Sequence, residues 1–178
     1  KADYEGAMGA FDQALEIARS NGDAALEITA LSSSAAVSVY HLHFQDALDA
    51  TQKVTDLSSK MDAPLIGSNS DFFKGLCLLY SGNLKHARRS FELSLSMAER
   101  VRHRYRIAAA GFNIARVSMF EGDFADARQH ADLALSLEPE DSMGLMSATL
   151  LDSTVGDFAV SKAHIDRQLE TINLTRLC

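Results

Sequence analysis

Six histidines, two cysteines and a knot of carboxylates are the residues of this sequence best suited to chemistry. The histidines are His41, His43, His86, His103, His130 and His164. His41 and His43 stand two positions apart, which on a helix points them to different sides, so no shared metal is expected. All six read as surface or turn histidines. Glu138, Glu140 and Asp141 crowd the segment "EPED", which reads as a solvated turn between repeating units. Cys77 lies within the apolar run "GLCLLY" and reads as a small core residue rather than a nucleophile. Together with Cys178 it is too little for a disulfide framework, and the spacing fits no metal site, so a reducing cytoplasm is the expected compartment. The chain has no GxSxG, HExxH, P-loop or GxGxxG segment. An enzyme is not expected, and neither a cofactor nor a metal is implied.

The cations form a second cluster. Arg100, Arg102, His103, Arg104 and Arg106 follow one another closely, with Lys85, His86, Arg88 and Arg89 a little earlier. One reading is a solvated connection with arginines dispersed on helix faces. The other is a cationic spot for an acidic partner segment or a nucleotide. The chain as a whole has 24 acidic against 17 basic residues, so nucleic acid is not expected to bind this fragment. An anionic membrane surface is disfavoured for the same reason. No stretch approaches the roughly 20 apolar residues needed to cross a bilayer.

The elements that must position these residues are set by a repeat. "YSGNLKHARRSFELSLSMAER" at Tyr80–Arg100 returns as "FEGDFADARQHADLALSLEPED" at Phe120–Asp141. Aligned on the large residue after the turn, the anchors are Tyr4, Phe44, Leu84, Phe124 and Phe158, at intervals of 44−4 = 40, 84−44 = 40, 124−84 = 40 and 158−124 = 34. Three residues after each anchor the side chain is small: Ala7, Ala47, Ala87, Ala127 and Ser161. Seven after come Phe11, Thr51, Phe91, Ala131 and Ile165. These offsets trace one face of an α-helix. A second apolar segment without proline precedes each turn, and Gly followed by Asp or Asn supplies a left-handed C-cap and then an N-cap. Nine helices are predicted, over 3–20, 24–41, 44–60, 65–81, 84–101, 104–121, 124–137, 142–155 and 158–172. Pro64 and Pro139 fall between units, where a helix must stop. Plentiful Ala and Leu with no β-branched alternation argue against any sheet.

A small residue seven before the turn (Gly75, Ala115), the "GD[FY]" turn, the small residue three after the anchor and the Pro of "LEPED" together resemble tetratricopeptide repeats. The interval of 34 matches that family's usual period. The 40-residue intervals resemble its long-repeat branch, found in MalT-like and LuxR-type bacterial regulators and in cyclase-linked signalling proteins. Leu42 and His43 depart from the pattern where Gly-Asp is expected, as do Ser161 and Gln168 at core offsets of the last unit. The resemblance implies an all-α superhelix of stacked antiparallel helix pairs, a single domain over 1–178. The chain opens on Lys1, which suits a fragment of something larger.

Stacked pairs bury a continuous stripe that no single pair can bury alone. The resemblance further implies a scaffold that binds a protein or peptide in a concave groove lined by the first helices, or else the effector- or partner-sensing arm of a larger regulator. Counting back three, six and ten residues from each turn Gly gives Leu79, Leu76 and Phe72; Met119, Arg116 and Phe112; and Ser153, Leu150 and Met146, of which all but Ser153 form the candidate lining. Apolar residues with one Arg suit an amphipathic helix or a hydrophobic peptide. Packing between units is the competing reading of the same positions. Arg128 and Gln129 are expected on the convex, solvent-facing side. Apolar stripes at the ends of such an array are expected to promote self-association.

Overall fold

Gly22, Gly82, Gly122 and Gly156 have φ between 67° and 87°, the left-handed region that a residue without Cβ enters freely. Each closes a helix and reverses the chain. The next residue's N–H returns to a carbonyl five positions back, as in Asp123 N–H to Ser118 O at 2.9 Å. Carboxylates then cap the helices that follow. Asp23 accepts from the Leu26 N–H at 3.0 Å, and Asp123 accepts from the Asp126 N–H at 3.0 Å. These turn signals, repeated along the chain, cut it into helices.

The computed structural model describes residues 3–59 and 64–175. Nine helices occupy them and no strand is found among the described residues. They are α1 Tyr4–Asn21, α2 Ala24–Tyr40, α3 Phe44–Ser58, α4 Pro64–Tyr80, α5 Leu84–Arg100, α6 Arg104–Glu121, α7 Phe124–Leu137, α8 Ser142–Val155 and α9 Phe158–Thr175. All nine expected helices are present. The predicted end of α3 at residue 60 lies outside the described residues, as does Cys178. Pro64 opens α4 rather than standing before it, because the first helical position needs no N–H donor.

Departures from the turn pattern have local explanations. Leu42 takes the place of the turn glycine and adopts its backbone, with φ 65°. Asn83 does not cap α5 with its side chain. Its Oδ1 lies 2.8 Å from the Nδ1 of His86 instead. His103 caps α6, where its Nδ1 accepts from the Arg106 N–H at 3.3 Å.

The chain divides into two compact units, Lys1–Val101 and Arg102–Cys178. Within the first, α1 to α5 pack as successive neighbours, and α2 also meets α4. Within the second, α6 to α9 do the same, and α6 meets α8. Neighbouring hairpins therefore stack through their first helices, α2 on α4 and α6 on α8. Small residues permit the close approaches. Gly75 faces the Phe91 ring so closely that a Cβ would lie 2.6 Å from Cε1. Ala47, Ala87 and Ala127, the small residues three after the anchors, are all fully buried. Ser68 and Ser94 exchange hydroxyl-to-carbonyl bonds of 2.8 Å in each direction, tying α4 to α5 with buried polar groups satisfied.

Candidate partner-binding surfaces

The eight groove positions counted from the sequence fall into three environments. Leu76, Leu79, Phe112 and Met119 are buried, at 4%, 5%, 2% and 9% exposure, and so present little to a partner. Phe112 packs with Ala108 and Ala134, and Met119 with Ala115, Ala127, Ala131 and Leu151. The Phe112 ring lies over Gly144 of α8, where any Cβ would overlap it. These four are packing residues: the counted stripe turns inward wherever another helix lies on it. Phe72 and Arg116 are half-buried. Phe72 stands edge-on to Phe91 with ring centroids 5.9 Å apart, and Arg116 donates to Asn113 Oδ1 at 3.1 Å.

Met146 and Leu150 are different. On α8 they are 49% and 48% exposed, and Met143 joins them at 48%. The three recur at helical spacing on one face, while Leu145, Ala148 and Leu151 of the same helix are buried. Met146 occupies the register position of Phe112, ten before the turn glycine (156−146 = 122−112 = 10). The α6 stripe is thus covered by α8, and the α8 stripe is open among the described residues.

A buried ionic group went unnoticed in the sequence. Asp152 of α8 is wholly buried, and one carboxylate oxygen pairs with Arg128 of α7. The other oxygen lies 3.3 Å from His164 Nε2 of α9. Arg128 is therefore not a bland convex residue, and His164 faces a buried carboxylate rather than open solvent. A lone acid in the apolar run "TLLDSTV" was the available signal, because a carboxylate there needs cationic partners. The polar residues at core offsets of α9 are bound in a similar way. Ser161 and Ser153 hydroxyls are 2.8 Å apart, and Gln168 Nε2 donates to Ser142 Oγ at 2.8 Å.

The other chemistry-bearing residues have structural roles. Cys77 is fully buried and its thiol is pushed up to about 11 by burial, with a backbone hydrogen bond pulling the other way. Such a thiol holds little thiolate at neutral pH. His41 and His43 flank the Tyr4 ring, His43 stacked on it at 4.1 Å. His130 pairs with Asp126 across 3.4 Å. Within the Arg100–Arg106 cluster, His103 is an N-cap, and Arg104 donates to the Leu137 carbonyl at 2.5 Å. No group of three or more His, Cys, Asp or Glu side chains suited to a metal occurs among the described residues. No helix of the described residues is long and apolar enough to cross a membrane.

Helix hairpins stacked through their first helices, with glycine turns and small residues at the contacts, define a tetratricopeptide-like helical-repeat fold. Solved structures agree. MamA superposes with a TM-score of 0.65 at 15% identity, over 99% of this chain and 92% of that one. The apo form of RapI gives 0.74 at 15% identity, over 92% of this chain, which spans 47% of RapI. MamA from Desulfovibrio magneticus RS-1, residue 41 to the end, gives 0.62 at 13% identity, over 94% of this chain and 96% of that one. At these identities the likeness is one of fold. No family model matches the chain. No curated protein matches it either.

Proposed function

We propose that the chain is a protein-interaction scaffold without catalytic chemistry, and that it takes an amphipathic helix of a partner protein on the open face of α8. The observation that carries this reading is the exposed Met143–Met146–Leu150 stripe, in register with the α6 stripe that α8 itself covers. The occupant follows from that precedent. Gly144 lets Phe112 seat against α8, so a partner helix with a small residue facing Met146 would repeat the contact. Methionines suit such a surface because their unbranched side chains adapt to the shape that arrives. Arg116, half-buried on α6 of the same unit, is a secondary member of the proposed surface. The buried Cys77 thiol, with little thiolate at neutral pH, is unsuited to act as a nucleophile.

The second reading makes this chain the sensing arm of a larger regulator. Its support is the repeat interval of 40 residues, which resembles the long-repeat branch of MalT-like and LuxR-type proteins. An adjoining DNA-binding, ATPase or cyclase segment in the full reading frame would favour it.

The scaffold reading is tested by placing a photo-crosslinking amino acid at position 146 and identifying the adduct from cell extract by mass spectrometry. The identified partner is then titrated with Met146→Asp/Leu150→Asp. Loss of at least tenfold in affinity at unchanged helicity is expected, with little change for Leu133→Asp, an exposed apolar residue of α7. Equal affinity of the α8 variant, or loss only in Leu133→Asp, overturns the assignment.

A further inference from the structure

An open groove of about 490 Å³ runs between α4 and α5 in the first unit, whereas α8 belongs to the second. Lys74 enters it from α4, and His86 and Arg89 enter it from α5. All three are exposed. Leu78 and Leu93 provide apolar walls, and Leu93 is 44% exposed. Against the cations stands Asp71, whose carboxyl is pushed up by burial while Lys74 draws it back down.

The charge runs against both the chain and the helix. Net charge is −7 over the sequence, yet cations outnumber carboxylates in this groove. The second helices α1, α3 and α7 begin with an acid, Glu5, Asp46 and Asp126, as the positive end of the helix dipole favours, whereas α5 and α9 do not. α5 has no acid in its first turn and carries Lys85 and His86 there instead. Asn83, the residue placed to cap it, is turned to His86. Cations gathered at a positive helix end repel one another and the dipole, and an incoming anion relieves both.

We infer that the α4–α5 groove is a second docking surface, which takes an acidic peptide segment of a partner protein with a leucine-like side chain between its carboxylates. The carboxylates lie against Lys74, His86 and Arg89, and the apolar side chain lies between Leu78 and Leu93. Charge complementarity selects this occupant: the walls reward apolar contact, and the rim rewards negative charge. A bare polyanion would leave Leu78 and Leu93 unused.

The probe is a fluorescein-labelled peptide of alternating glutamate and leucine, followed by anisotropy against the intact chain. Binding should weaken at least tenfold in Lys74→Glu/Arg89→Glu and fall with added salt. It should be lost when glutamine replaces glutamate in the peptide. Met146→Asp should leave it unchanged, which separates this groove from the α8 face. Circular dichroism checks that the variants fold, and Lys74→Gln/Arg89→Gln serves if charge reversal does not. Unaltered binding by the charge variants, or no binding of the acidic peptide, overturns the proposal. So does better competition by oligothymidine than by unlabelled peptide. Salt-sensitive dimerisation of the wild type that disappears in the variant would place the Glu138–Asp141 segment of a second copy there, and overturns it also.

Discussion

The α6–α7 and α8–α9 hairpins belong to one compact unit and follow one register, yet they use the same positions in opposite ways. In α6 the residue ten before the turn glycine, Phe112, is buried over Gly144. In α8 its counterpart Met146 is half-exposed. The second helices differ too. α7 presents Ala127, Ala131 and Ala134, all buried, whereas α9 presents Ser161, Ile165 and Gln168. Ile165 is 43% exposed, and Ser161 and Gln168 spend their polarity on hydrogen bonds to α8. A repeat position therefore has no fixed role. It becomes core or surface according to whether a helix lies on it.

The sharpest way to break that comparison is to truncate both counterparts. Phe112→Ala removes a ring at 2% exposure and should cost about 3–5 kcal/mol. Met146→Ala at 49% exposure should stay within about 0.5 kcal/mol. Urea denaturation of both variants measures the difference. Equal losses would mean that the two stripes are buried alike and would remove α8 as a docking face.

A second contrast lies within α7. Arg128 and Gln129 are adjacent and were expected to be equivalent solvent-facing residues. Only Arg128 pairs with the buried Asp152. Arg128→Ala leaves that carboxylate with His164 alone and should cost about 1–3 kcal/mol. Gln129→Ala should be near neutral, within about 0.5 kcal/mol. Comparable thermal melting of the two would show that the ion pair contributes nothing and that His164 alone suffices for Asp152.

What was legible in the sequence, and what was not, follows the same division. Turn glycines, capping aspartates and the small residues after each anchor act over a few residues, so they revealed all nine helices and their register. The direction of a stripe is decided by distant chain. Leu76 and Leu79 share a face with Phe72, and counting could not tell that two of the three are buried. Asp152 was legible only as an oddity, because its partners come from residues 128 and 164 on other helices. Asn83 looked like a cap by its place after Gly82, but His86 three residues on competes for its side chain. Met146 and Leu150 were counted into the same lining, and they alone of the eight are exposed.

The smallest expected effect concerns the turns themselves. Four glycine turns and the Leu42 turn share one backbone design. His43 N–H reaches Ser38 O at 2.8 Å, as Asp157 N–H reaches Asp152 O at 2.8 Å in the last hairpin. Leu42 meets this geometry at φ 65°, where its Cβ crowds the carbonyl, at a cost of about 1–2 kcal/mol for an L-residue. Its side chain is 69% exposed, so little packing offsets that strain. Leu42→Gly removes the clash but adds freedom to the unfolded chain, which returns about 0.4–1 kcal/mol. The net should be a gain of roughly 0.5–1 kcal/mol, as the difference of these two terms. Gly82→Leu, the reverse change at φ 77°, should lose about as much or more. A higher urea midpoint at unchanged slope for the first variant and a lower one for the second would establish that the five turns are one device. A lower midpoint for Leu42→Gly would mean that the leucine side chain contributes contacts worth more than the strain it brings.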